Sequence, residues 1–218
     1  MSQQLENILT VLFTEPENLA TLLHGIDREV LADCFADILY RYANDVNSST
    51  LRELITMLKA GYEPQPLGRK LGYNGKTHHG EPCEIKPPNI RSDSGDKLNG
   101  GGNFSDFTYE RLDKYQADNV TMLVSGFVDG RLIYILEFPF TYTEFVQRLR
   151  EQLERQFARG ERKKGQFLRS AQFSFKHYKN CPQLRIIYKE PHIDTFKGFL
   201  RGELFNYLKE GAWKQTQF

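Results

Sequence analysis

The sequence predicts an α/β fold: a central mixed β-sheet flanked by helices, with a helical region at the N-terminus. Three observations carry this. Apolar residues recur at helical spacing through the first 60 residues. Two nearly continuous apolar runs meet at Asp129-Gly130, the signature of a hairpin between buried strands. Helical spacing then alternates with strand-like segments to the end, which is the order of an α/β domain. The division falls at residue 61, giving a helical region (1–61) packed on an α/β core (62–218) whose C-terminal half is basic.

Taken in order, Leu5, Ile8, Leu9 and Leu12 predict a helix over 2–13, and the pattern continues through 15–24 and 27–43, the latter on Val30, Leu31, Cys34, Phe35, Ile38 and Leu39. Ser49 or Thr50 is placed to cap the helix LRELITMLKA, which Gly61 ends. Short strands are expected at Leu71–Tyr73 and Pro82–Lys86, and 88–102 reads as loop because Gly, Asn, Ser and Asp dominate it. The hairpin comes next, as VTMLVSGF, a turn at Val128-Asp129-Gly130-Arg131, and RLIYILEFPF. A helix capped by Thr141 or Thr143 should run to about Ala158, with Phe145, Val146, Leu149 and Leu153 on one side. Two strands, 166–179 and 183–189, and a helix over about 194–210 complete the chain.

Composition narrows the class. A hydrophobic fraction of 39% with 16 Phe and 11 Tyr excludes a disordered chain. No run approaches the roughly 18 apolar residues of a membrane span. The N-terminus has no basic segment or small-residue cleavage site, so no signal peptide is expected. Cys34, Cys83 and Cys181 are isolated, which argues against zinc knuckles and a disulfide framework and leads to the expectation of a cytoplasmic protein. The net charge of +1 hides a polarity. Residues 1–66 carry 10 acids against 4 bases, a balance of −6, and residues 141–189 carry 12 bases against 4 acids, a balance of +8. Such a chain meets a polyanion with one end, or simply has one solvated basic face.

The segment Gly80-Glu81-Pro82-Cys83-Glu84-Ile85-Lys86-Pro87 carries the chemistry. Residues two apart on a strand share a face, so Glu84 and Lys86 project together and Ile85 turns to the core. A carboxylate beside an ammonium is suited to hold a divalent metal and to orient an attacking water. The same pair also occurs as an ordinary ion pair worth under about 1 kcal/mol. What distinguishes this pair is its setting: prolines directly after it, a glycine-rich loop beyond, and a basic half downstream.

GKTHHGEPCEIKPPN, then LNGGGNFSDFT, then a β-hairpin, resembles the core of the PD-(D/E)xK nucleases, and among them the type II restriction endonucleases, over roughly residues 50–140. The resemblance implies a restriction-endonuclease-like fold in which two strands of a mixed sheet carry an acid and a (D/E)xK pair with Mg2+ between them. It implies hydrolysis of DNA phosphodiesters, catalytic roles for Glu84 and Lys86, double-stranded DNA as partner, and a homodimer if the target is palindromic.

The departure from that pattern concerns the first acid. No aspartate lies between Asp45 and Asp93, and before Glu84 the carboxylates are Glu53, Glu63 and Glu81. Glu53 or Glu63 is the preferred second metal ligand. Glu81 has the wrong strand parity unless Pro82 breaks the strand, and His79 is a third choice better suited to zinc or manganese than to magnesium. Asp106 is either a further catalytic acid, on a strand that Gly100–Gly102 lets approach a ligand closely, or a helix cap. His78-His79 and the following loop also echo an HNH-type nuclease, although Lys86 stands where a histidine would be needed. Glu137, in an apolar strand, is an added acid or, by preference, a salt-bridge partner.

Arg162, Lys163, Lys164, Arg169, Gln172, Lys176 and Lys179 are the expected DNA-binding residues, with Gln166, Arg169, Gln172, Lys176 and Lys179 as candidates for reading base edges. A DNA-binding or interaction protein without catalysis is the alternative from another class, and the missing upstream aspartate favours it.

Overall fold

The computed structural model describes residues 49–65, 72–157 and 166–211, and upstream of these Thr10, Thr14, 16–30, 32, 33, 35 and 36. The helix expected over 2–13 therefore lies outside the described residues apart from Thr10, as do Leu31, Cys34, Ile38 and Leu39 and the basic cluster Arg162, Lys163 and Lys164.

Helix α1 spans Pro16–Gly25 and starts on a proline, whose missing N–H costs nothing in a first turn. Helix α2, Ser49–Lys59, buries Leu54, Ile55, Met57 and Leu58. It stops as the sequence predicts. Gly61 takes φ 74°, and the amides of Gly61 and Tyr62 turn back to the carbonyls of Leu58 and Met57.

A seven-stranded mixed sheet forms the centre, in the order β1-β2-β3-β6-β7-β9, with β4 also pairing β6. The strands are β1 Glu63–Pro64, β2 Gly75–Lys76, β3 Pro82–Lys86, β4 Asn89–Ile90, β6 Thr121–Val128, β7 Arg131–Pro139 and β9 Arg185–Lys189. Of the strand expected at Leu71–Tyr73, Leu71 lies outside the described residues and Gly72 and Tyr73 form a bend, with the strand following at Gly75–Lys76. A side chain at Gly75 would run into the Glu63 backbone and the Met57 methyl, so only glycine lets β1 and β2 close over α2.

Strand β3 runs parallel to β6, with Glu84 beside Met122 and Lys86 beside Val124. It ends at Pro87-Pro88, where no backbone N–H is available. The chain then rejoins the same neighbour as β4, so the expected loop over 88–102 contains a strand. The β6–β7 hairpin is as predicted. Asp129 and Gly130 both have positive φ (48° and 78°), the geometry of a primed two-residue turn.

Strands β5 (Gly102–Phe107) and β8 (Leu168–Phe173) make a separate two-stranded antiparallel ribbon. The strand predicted over 166–179 is shorter, because Ser174 breaks into a 3-10 turn over Phe175–His177. Phe167 is exposed, while Phe173 and Phe175 are buried.

Helix α3 (Tyr109–Ala117) crosses from β5 to β6, and α4 (Thr143–Phe157) follows β7 with Phe145, Val146, Leu149 and Leu153 inward, as predicted. The last predicted helix divides into a 3-10 segment, Ile193–Phe199, and α5, Gly202–Glu210. The break has a cause. Phe199 and Arg201 exchange backbone hydrogen bonds with Leu98, which pulls Leu200 out of the helix into a β-bridge.

Helices cover both faces of the sheet. On one, α2 supplies Ile55 and Met57 to a cluster with Cys83, Ile85, Leu123, Phe127 and Ile135. On the other, α3, α4, α5 and the ribbon pack over Met122, Val124, Leu136 and Phe138. A buried hydrogen bond between Thr56 and Ser125 (2.7 Å) ties α2 to β6. Cys83 and Cys181 are both free thiols, and among the described residues no helix is long and apolar enough to cross a membrane.

Candidate active site

Alternation along β3 sends Cys83 and Ile85 into the α2 layer and Glu84 and Lys86 to the opposite face, where α3 and the ribbon approach. Glu84 is 4% exposed, a depth at which a carboxylate needs charged or hydrogen-bonding partners. It has three. Lys86 Nζ donates to Oε1 at 2.7 Å, Arg111 Nη2 donates to the same oxygen at 3.3 Å, and the Tyr115 hydroxyl lies 3.1 Å from Oε2.

Arg111 and Tyr115 occupy one face of α3 at i,i+4 spacing, and Arg111 Nη2 also donates to the Tyr115 oxygen at 2.7 Å. Arg111 Nη1 holds the Ser105 carbonyl at 3.0 Å. Its guanidinium lies 5.0 Å from the ring centre of Tyr115 and 5.5 Å from that of Phe104. The Tyr115 hydroxyl, 3.0 Å from the Gly72 carbonyl as well, has one proton for two acceptors. Burial, then the Glu84 charge, pushes its pKa well above the ordinary tyrosine value, so it remains a donor at neutral pH. Lys86 Nζ stands 4.4 Å over the Phe104 ring, fixing the ammonium between an aromatic face and a carboxylate.

The other side of β3 is an interrupted edge. Strand β2 has only two residues, so beyond Cys83 no backbone partner remains for β3 on that side. Asn74 fills the gap. Its Oδ1 accepts the Ile85 amide at 2.8 Å, and its Nδ2 donates to Glu53 Oε2 at 2.7 Å. Glu53, on the first turns of α2, thus reaches the β3 edge from the opposite layer. Its carboxyl pKa is raised, first by burial, with the nearby Glu84 charge adding to the rise and hydrogen bonds from Ser49 and Asn74 and the charge of Lys86 opposing it. Glu53 and the Asn74 amide therefore stand at the open edge of the sheet, with Glu53 in electrostatic reach of Glu84 and Lys86.

Of the predicted residues, Glu84 and Lys86 are in contact, and Glu53 lies within electrostatic reach of both. Glu63 does not join them. It is exposed on β1 opposite Lys76, two strands from β3 and so on the order of 10 Å away. His79 is exposed in the turn between β2 and β3, against the His78 ring (centroids 4.2 Å apart), and His78 in turn faces Tyr62. Asp106 is exposed at φ 49°, and the β5–β8 pairing skips it. This left-handed residue interrupts the alternation, so that Phe104 and Phe107, three apart, both enter the core. The helix cap expected of Asp106 is Thr108, whose hydroxyl accepts the Arg111 amide.

Glu137 is a salt-bridge partner on the other face of the sheet, bonded to the Tyr62 hydroxyl and to Arg185. Gly100, Gly101 and Gly102 approach the protein itself rather than a ligand. A Cβ on Gly102 would lie 2.6 Å from Lys86 Cβ, and one on Gly100 would lie 2.8 Å from Phe175 Cβ. Arg169, Gln172 and Lys176 are exposed around the ribbon, and Lys179 is bound to Glu203.

Asn74, Arg111 and Tyr115 escaped the sequence reading. The i,i+4 pair was visible as a helix face, but nothing local says that this face meets β3. Asn74, before a glycine, reads as a turn residue.

Among the described residues, no three His, Cys, Asp or Glu side chains converge as a closed metal cage. Glu53 and Glu84, each within electrostatic reach of the other, offer hard oxygens. They fit magnesium, which commonly takes one or two carboxylates and completes its shell with water and substrate phosphate. The chain matches no protein-family model and no curated protein.

Proposed function

We propose that this protein is a magnesium-dependent endonuclease that hydrolyses phosphodiester bonds of double-stranded DNA, with its centre at the β3 edge. The observation that carries this reading is the meeting of Glu84 and Lys86, side by side on one strand, with a second carboxylate, Glu53, brought around the strand edge from α2. The elevated pKa of Glu53 and its neighbouring like charge fit a pocket that favours an added cation.

In this reading Glu84 and Glu53 would hold the magnesium, which when bound would supply charge neutralisation at a phosphate and a more acidic water. Lys86 Nζ, held by Glu84 and the Phe104 ring, donates a hydrogen bond to the attacking oxygen and orients it. Arg111, restrained by Ser105, Tyr115 and neighbouring rings, would offer its guanidinium to phosphate oxygens, where negative charge grows. Tyr115 keeps its proton and fixes Glu84 Oε2. Asn74 holds Glu53 toward the edge. The finer assignment, a restriction enzyme acting as a homodimer on a palindromic site, rests on the resemblance alone.

Plasmid cleavage in magnesium, calcium and EDTA tests the proposal. Cleavage is expected in magnesium only, with loss in Glu84→Ala and in Lys86→Ala. DNA binding by the wild type without cleavage in any divalent metal would replace it with the non-catalytic alternative.

A further inference from the structure

The ribbon that leaves the candidate site has two unlike faces. Register places Asn103 opposite Gln172 and Ser105 opposite Ser170, so these four side chains share one face. The other face carries Phe104, Ala171 and Phe173 into the core. Asn103, Ser105 and Gln172 are exposed and Ser170 is half-buried. The four are neutral hydrogen-bonding groups with no charge among them, unlike an ordinary solvated strand face, where lysine and glutamate are common.

The ribbon is also held in place. The Gln152 side chain takes the amide of Gln172 (2.8 Å) and gives to its carbonyl (3.0 Å), pinning β8 to α4 by its outer edge. Arg111 grips the Ser105 carbonyl, and Gly102 lies against Lys86. The inner face of the ribbon therefore packs over Lys86, through Gly102 and the Phe104 ring, and the polar face is turned the other way on a rigid base. Exposed Arg169 and Lys176 flank it, within the part of the chain that carries the +8 excess of 141–189.

We infer that the outer face of the β5–β8 ribbon reads base edges in the major groove of duplex DNA, with Asn103 and Gln172 as the principal contacts. The inference deepens the nuclease reading and rests on it for the choice of DNA as partner. The major groove admits a two-stranded β-ribbon, and asparagine and glutamine amides each offer a donor and an acceptor matched to the N6 and N7 edge of adenine. Arg169 and Lys176 supply the phosphate contacts that position the ribbon without regard to sequence.

Selection from a random duplex library tests this. The full-length chain is bound to the library in calcium, and bound and input DNA are sequenced. The wild type is expected to enrich a consensus. Asn103→Ala/Gln172→Ala should lose about tenfold or more of that preference while keeping total binding and melting temperature. Arg169→Ala/Lys176→Ala should weaken binding evenly and leave the consensus unchanged. Wild-type binding without a consensus, or a consensus intact in Asn103→Ala/Gln172→Ala, would overturn the inference, and so would absence of DNA binding. A parallel digest in magnesium separates the two claims. A consensus without cleavage keeps the ribbon and removes the nuclease, whereas cleavage without a consensus does the reverse.

Discussion

Two glutamates are buried in the central sheet, Glu84 on one face and Glu137 on the other, 4% and 5% exposed. Each has an arginine and a tyrosine as partners: Arg111 and Tyr115 for Glu84, Arg185 and Tyr62 for Glu137. Burial and pairing therefore do not set the candidate catalytic carboxylate apart from the other. The surroundings differ. Glu137 lies within the fully paired β6-β7-β9 region, and its charge is closed by Arg185, with Tyr62 driven to a very high pKa by burial and by Glu137. Glu84 lies on the strand whose edge is left open by a two-residue neighbour, has a lysine in addition to its arginine, and has a second acid within electrostatic reach. An excess of cations and a like charge together set Glu84 apart from a closed ion pair, and this is the contrast on which the proposed reaction centre rests.

The strongest way to break this contrast is to neutralise each acid in turn. Glu84→Gln is expected to lower plasmid cleavage by about 10²–10³-fold. Glu137→Gln should leave cleavage within a few-fold and lower unfolding free energy by about 1–3 kcal/mol, since Tyr62 loses a charged partner while Arg185 is already largely in solvent. Equal losses of cleavage would erase the distinction. Gly102→Ala, which forces a Cβ to within 2.6 Å of Lys86 Cβ and 2.9 Å of its Cγ, should cost about 1–3 kcal/mol in urea unfolding and displace the ammonium, reducing cleavage as well.

Asn74→Asp sharpens the comparison by adding a third carboxylate. Without metal the variant should melt below the wild type, because a donor to Glu53 becomes a repelling charge, and magnesium should restore more stability to it than to the wild type. Equal magnesium shifts in the two proteins would place the ion elsewhere. The smallest effect concerns pH. The folded-state pKa of Glu53 is raised, so its contribution to stability is present below the unfolded carboxylate value and is lost as pH rises through the folded value. For the proposed magnesium site the dependence is expected to be opposite, since a ligand Glu53 must be ionised, and affinity should fall as pH drops through that raised value. Calorimetric titration of magnesium across this window should show the fall, and Glu53→Gln should flatten it.

How much of this was legible follows from where the information lies. Alternation placed Glu84 and Lys86 together, the positive-φ demands of a two-residue turn fixed the β6–β7 hairpin, and Gly61 marked the end of α2. These are local rules. The preference for Glu53 or Glu63 needed one non-local fact, that α2 packs so as to reach around the sheet edge, and so the sequence left both open. Asp106 and the three glycines misled for a related reason. Loose-looking residues suggested a ligand, whereas the structure uses them to fold the ribbon onto Lys86 and into the core. The division of the last helix depended on Leu98, about 100 residues earlier in the chain, and no window of sequence contains that contact.

The Ile85 amide is bonded to the Asn74 side chain rather than to a neighbouring strand. Its solvent exchange therefore depends on a single rotatable carboxamide held at its other end by Glu53, while the Phe127 amide on β6 is held by the Pro88 carbonyl. The deuterium uptake of one backbone position thus becomes a gauge of whether the pocket is assembled, readable in a protein that is never asked to turn over.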